Sequence, residues 1–160
     1  MSDVVEQRLP EKVLTAKTLV PGEVRGPALV CTAPISGWGG IDPKTGTITE
    51  TTHPQRGESF AGRVLVIPGA KGSSGWSGQF HLARVIGTAP LAIVTRAVNS
   101  KLAVGLVVLE IPAVQVTDLD AFVGETGRLP VREVAIERGE VRVTYHQDGG
   151  GGTTPAGGRR

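Results

Sequence analysis

Between an apolar run, Arg63-Val64-Leu65-Val66-Ile67-Pro68, and a helix-like stretch starting near Trp76 lies Gly69-Ala70-Lys71-Gly72-Ser73-Ser74-Gly75-Trp76-Ser77-Gly78. Strand, Gly/Ser turn and helix in that order make a place where chemistry can be done. Glycines let a ligand approach the backbone, and the free amides of a helix start offer a positive dipole end to a carboxylate, a phosphate or a developing oxyanion. A serine at such a point has two readings. Ser73 or Ser74 caps the helix by accepting from an orphan amide, which is the simpler account. Alternatively the hydroxyl of Ser73, with its alkoxide stabilised by the helix start, moves a proton in a site completed elsewhere. The turn is no Walker A loop, because Lys71 precedes Gly72 and the serines follow it. It is not a G-x-G-x-x-G fingerprint or a Gly-x-Ser-x-Gly elbow, and no histidine and acid stand in a recognisable triad context.

The other chemistry-bearing residues are isolated. His53, His81 and His146 are spaced too far apart to suggest a common metal site and read as surface or capping residues. Cys31, the only cysteine, cannot form an internal disulfide; within Ala28-Leu29-Val30-Cys31 it reads as a small buried hydrophobe. Trp38, among glycines, is either an anchor packed on the sheet or part of a contact surface. The stretch from Leu102 to Ile111, interrupted only by Gly105 and Glu110, reads as a buried helix.

The elements that position the turn follow from composition and punctuation. The chain has 160 residues and is 39% hydrophobic, enough for one domain with a real core. Aromatics are only 4%, so Val, Ile, Leu and Ala must fill that core, and with 23 glycines this points to sheets joined by tight turns. Residues 1–11 read as a flexible tail, 12–146 as the folded domain and 147–160 as a disordered Gly/Thr/Pro-rich tail. Within the domain, 12–20 reads as one strand, 26–33 as a second, 34–43 as an irregular loop and 45–52 as an edge strand. The strand at 62–68, a helix from Trp76 to Ile86 stopped by Gly87, and a strand at 90–95 make a β-α-β unit. Asn99 or Ser100 caps a second helix ending near Glu110; a strand at 112–116 follows, then a short helical turn capped by Thr117 or Asp118. Val131 to Glu137 and Glu140 to Tyr145 alternate around Arg138-Gly139 as a hairpin.

The net charge of +2 is scattered, apart from Arg159-Arg160, and gives no footprint for nucleic acid or an anionic membrane. The N-terminus lacks the pattern of a signal peptide, and no apolar run approaches the roughly 20 residues of a membrane span, so a cytoplasmic protein is expected.

Taken together, Trp38-Gly39-Gly40-Ile41-Asp42-Pro43-x-x-Gly46, His53-Pro54-x-x-Gly57, Val64-Leu65-Val66-Ile67-Pro68, Lys71-Gly72-Ser73-Ser74, Ala89-Pro90-x-Ala92-Ile93-Val94 and Glu110-Ile111-Pro112-Ala113-Val114 resemble the small subunit of the aconitase X family. The resemblance covers about residues 25 to 118. It implies an α/β fold, the swivelling β/β/α domain of a split aconitase. It also implies a heterodimer whose separate large subunit holds iron or an iron-sulfur cluster, with no metal bound by this chain alone. The family's activities are dehydrations, of cis-3-hydroxy-L-proline or of mevalonate 5-phosphate, and the first is the expected substrate. By motif position Ser73 is the implied catalytic base, with the partner's iron acting as Lewis acid on the departing hydroxyl. Lys71, Gly72, Ser74 and Ser77 become candidate contacts to substrate or partner, and Trp38, Gly39, Gly40 and Asp42 candidate interface residues. Two departures stand out: Gly75 occupies the place of aconitase's substrate-binding arginine, as in other aconitase X members, and Trp76 stands between Gly75 and Ser77, where the family has a Gly-Ser pair. The other reading, a non-catalytic module that docks a larger enzyme, rests on the lack of a complete catalytic set within the chain.

Overall fold

The computed structural model describes residues 10–37, 39–71, 75–122 and 131–146. In chain order it holds β1 (Glu11–Thr15), β2 (Lys17–Val20), β3 (Val24–Val30), β4 (Ile35–Ser36), β5 (Ile41–Asp42), β6 (Thr47–Ile48), β7 (Val64–Ile67), β8 (Ala70–Lys71), α1 (Trp76–Ile86), β9 (Ala92–Thr95), α2 (Ser100–Leu109), β10 (Ala113–Gln115), a 3-10 turn (Leu119–Phe122), β11 (Val131–Glu137) and β12 (Glu140–Tyr145).

Eight strands form one mixed sheet in the order β1-β12-β11-β3-β7-β9-β10-β2. Its centre, β3-β7-β9-β10, is parallel, and both β-α-β units expected from the sequence are present. Helices and curled sheet cover both faces of these central strands. Hence β7 is a run of four fully buried residues, without the alternation of a half-exposed strand. Leu65 and Ile67 face the helices, with Trp76, Phe80, Leu102 and Leu106, whereas Val64 and Val66 join Val134, Ile136, Val141 and Val143 in a second core on the other side.

The stretch 12–20 is two strands, contrary to the single strand expected. β1 pairs with β12 at one edge of the sheet and β2 with β10 at the other, and Ala16 alone lies between them, its amide bonded to Gly139 O at 2.8 Å. Two residue steps span at most about 7 Å. The two edges therefore meet here, and the sheet curls back toward closure around the second core, which leaves little open edge. No local feature of 12–20 encodes this, because closure depends on strands far along the chain, β10 for one half and β12 for the other.

The helices begin and end as their residues dictate. Asn99 accepts from Leu102 N at 2.8 Å as the cap of α2, and Gly87, at φ 100°, closes α1 with its amide on Ala83 O. Asp118 accepts from Asp120 N at the start of the 3-10 turn. Neither helix is apolar only where it is covered. Val85 of α1 and Val107 of α2 are 69% and 70% exposed, so α2 is buried on one side and not throughout, because two helices lying side by side on one sheet each keep an outer surface. The expected edge strand at 45–52 shrinks to β6, paired with β5 across a hairpin closed at Gly46. No described helix is long and apolar enough to cross a membrane.

Candidate functional site

The turn leaves β7 at Pro68-Gly69 and runs into β8, which pairs in parallel with β4, Ile35 opposite Ala70 and Ser36 opposite Lys71. Thus the loop expected to be irregular from 34 to 43 contributes a strand fragment that holds the turn's first limb. On the far limb, Gly75 is the N-cap of α1, at φ 97°, a conformation that favours glycine. Its carbonyl accepts the first helical bond, from Gln79 N at 2.8 Å. The cap residue is therefore Gly75 and not a serine. Gly72, Ser73 and Ser74, with the expected base among them, lie outside the described residues, as does Trp38.

Several groups converge around the two limbs. Gly37 sits against the start of α1: a Cβ there would lie 2.5 Å from Trp76 N. Trp76 is buried, stacked on Phe80 with ring centroids 4.6 Å apart, and accommodated in α2 by Gly105, where a Cβ would lie 3.2 Å from Trp76 Cβ. The side-chain amide of Asn99 donates to Ala70 O at 3.4 Å, so the start of α2 reaches β8. Ser77 lies in the first turn of α1, partly exposed.

Lys71 carries the site's charge. Its ammonium pairs with Glu50, whose other carboxylate oxygen accepts from Ser36 N at 3.1 Å. Burial by itself would raise the Glu50 carboxyl, but the Lys71 ammonium and the Ser36 amide outweigh it and hold the group below its ordinary value. Glu50 is the residue that sequence reasoning missed; its one signal was being the only acid in the run from Thr45 to Thr52.

The remaining candidates separate. Gly40 is folded onto β4, where a Cβ would lie 2.1 Å from Ser36 O, and Gly39 O accepts from Thr49 Oγ1 at 3.2 Å. The Asp42 carboxylate accepts from Lys44 N at 2.9 Å and so serves its own hairpin turn. His53 is buried, not on the surface: Gln55 N donates to its Nδ1, which leaves Nε2–H to donate to Ala33 O at 2.9 Å. Cys31 is buried as expected, and burial pushes its thiol up to about 12. A cleft of about 220 Å3, lined by Cys31, Thr32, Pro68, Arg96 and Asp120 among others, opens at the carboxyl ends of β3, β7 and β9, where open α/β sheets bind ligands. Among the described residues no group of three or more His, Cys, Asp or Glu side chains is placed to hold a metal ion.

This arrangement has counterparts. Residues 13–143 match the family model of the aconitase X swivel domain. The chain is 35% identical over 130 residues to the phosphomevalonate dehydratase small subunit of Thermococcus sibiricus, covering 81% of this chain and 97% of that one. It is 42% identical over 106 residues to the subunit of the same name from Archaeoglobus fulgidus, covering 66% and 80%. Among solved structures it is similar to the holo-form of Thermococcus kodakaraensis aconitase X, with a TM-score of 0.71, 30% identity and coverage of 82% of this chain and 98% of that one. On the family model, the relatives and the solved structure alike, the chain belongs to the aconitase X swivel-domain family.

Proposed function

We propose that this chain is the small subunit of a two-subunit dehydratase that removes water from a small 3-hydroxy acid, with Ser73 as the base. The observation that carries the reading is the turn itself: a buried parallel strand, β7, leads through β8 to the left-handed Gly75 and the start of α1, and the serine of the family motif falls between them. The relatives' shared name supports mevalonate 5-phosphate, the second of the two substrates implied by the resemblance; cis-3-hydroxy-L-proline is the other.

Both compounds carry a hydroxyl one carbon beyond the carbon next to the carboxylate. The Ser73 alkoxide takes the proton from that nearer carbon, the electron pair forms the carbon-carbon double bond, and the hydroxyl departs as hydroxide. That hydroxide becomes water on taking up a proton equivalent to the one Ser73 removed, so that the alkoxide is regenerated. A serine is a weak base at neutral pH, so its ionised form needs the amides of the helix start and the nearby Lys71 charge. Lys71, Gly72, Ser74 and Ser77 are placed by sequence to contact substrate or partner, and Trp38, Gly39, Gly40 and Asp42 to border the subunit interface. Among the described residues nothing fits an iron or iron-sulfur centre, since no three His, Cys, Asp or Glu side chains are grouped and the one cysteine is buried. The resemblance assigns that centre to the large subunit.

The test is water loss from both compounds by this chain co-produced with its large subunit. Ser73→Ala lowers kcat by about a thousandfold while the complex still assembles. Activity that survives the substitution moves the base to the large subunit and leaves this chain a docking module.

A further inference from the structure

The cleft of about 220 Å3 at the carboxyl ends of β3, β7 and β9 carries one charge of each sign, Arg96 just after β9 and Asp120 in the 3-10 turn. Among the described residues neither side chain is paired, with the other or with any third group. We infer that this cleft binds a small zwitterionic amino acid, with its carboxylate on Arg96, its ammonium on Asp120 and its side chain on the apolar lining. The inference stands on the cleft's own residues and not on the assignment of a base.

Val30, Val66 and Leu119 line the cleft and belong to or pack on the second core, so it opens on the face of the sheet away from α1 and α2. With Pro68 they supply the apolar lining. The volume falls below the roughly 300–1,000 Å3 of sites for drug-sized ligands, which suits a molecule of amino-acid size. Both charges stand on pinned backbone. Arg96 N donates to Ile67 O at 3.2 Å, and Arg96 O accepts from Gln115 Nε2 at 3.0 Å. Asp120 N donates to Asp118 Oδ1 at 3.0 Å, and the Tyr145 hydroxyl donates to Ala121 O. The Asp118 carboxylate is engaged by that amide and, at 3.9 Å, by the Lys12 ammonium, so Asp120 is the carboxylate left for a ligand. Opposite charges that close on each other need no ligand. Two that are held apart on rigid elements match a molecule carrying both, and the charge-assisted contacts come without an ordering cost. A lone anion would meet Asp120 and a lone amine would meet Arg96, so the cleft selects against each.

L-valine is the probe, because isovalerate is the same molecule without its ammonium and isobutylamine the same without its carboxylate. Titrated into the isotope-labelled full chain, L-valine shifts the amide signals of Thr32, Arg96 and Asp120 saturably, and each analogue binds about tenfold more weakly or worse. Arg96→Gln and Asp120→Asn leave Tm unchanged, since both side chains are exposed, and each weakens L-valine binding about tenfold. Arg96→Gln also removes the preference over isobutylamine, and Asp120→Asn the preference over isovalerate, which a general loosening of the fold would not do. Calorimetry on the co-produced complex gives the same Kd as the full chain alone. The inference is overturned if either analogue binds as tightly as L-valine, if L-valine shifts none of the three amides up to about 10 mM, or if the shifts survive both substitutions. Binding that is lost in the complex gives the cleft to the large subunit and overturns it as well.

Discussion

Replacing Gly37 with alanine would put a methyl group 2.5 Å from Trp76 N and 2.7 Å from both its Cα and Cδ1, against an ordinary contact distance of 3.4 Å or more. The shortfall is about 0.9 Å, and two of the three atoms belong to the backbone of the helix start, which cannot turn aside as a side-chain end can. The cost belongs at the upper end of overpacking effects, about 3 kcal/mol. At about 4 °C per kcal/mol for a domain of this size, Tm should fall by about 12 °C. Gly78, in the first turns of the same helix, is the matched control. A Cβ there meets nothing within 4 Å, so Gly78→Ala should raise stability by about 0.5–1 kcal/mol through helix propensity alone. Urea and thermal unfolding of the full chain, followed by tryptophan fluorescence, measure both variants under one set of conditions. A Gly37→Ala protein within about 0.5 kcal/mol of wild type would show that the loop and helix start do not pack as described, since surface changes without such contacts stay in that range. Equal gains in both variants would show that glycine at these sites acts through the unfolded chain and not through the contact.

Two further outcomes follow from capping and burial. Asn99→Ala removes the acceptor for Leu102 N and the donor to Ala70 O, and should cost about 1 kcal/mol in thermal unfolding, most of it restored by Asn99→Asp, which keeps the acceptor. The Cys31 thiol, raised from 9.0 to about 12 by burial, stays protonated in the folded chain while the unfolded chain ionises first. The stability linked to this group is therefore complete below about pH 9 and lost as pH rises toward 12, and iodoacetamide at pH 8 should label Cys31 only after urea is added.

What the sequence made legible was local. The Val64 to Ile67 strand, the helix from Trp76 with its stop at Gly87, the Asn99 cap and the hairpin around Arg138-Gly139 are each specified by residues within a few positions of one another. The division of 12–20 at Ala16 was not legible, since both halves have the same β-rich composition and only distant partners tell them apart. The site divides in the same way. Lys71 and the Gly/Ser turn stand out as a motif, whereas the Glu50 grip on Ser36 and Lys71 joins segments 14 and 21 positions away with no pattern to announce it. The placement of His53 shows the same limit, because a histidine before a proline reads as a turn residue until the Ala33 carbonyl is found over it.

The meeting of the sheet edges at Ala16 also sets an order of events during synthesis. Glu11 pairs with Thr144, and Pro10 O accepts from Tyr145 N, so β1 finds its partner only after every element from β2 to β11 has been made. The β7-α1-β9-α2-β10 segment can assemble from near neighbours meanwhile, with β2 free to join it at β10. Pairings of such long range are slow to form. Until Glu11 to Thr15 swing across and shut it, β12 stands as an open edge to which other copies can pair, and a chain lacking those five residues should keep that edge open and self-associate.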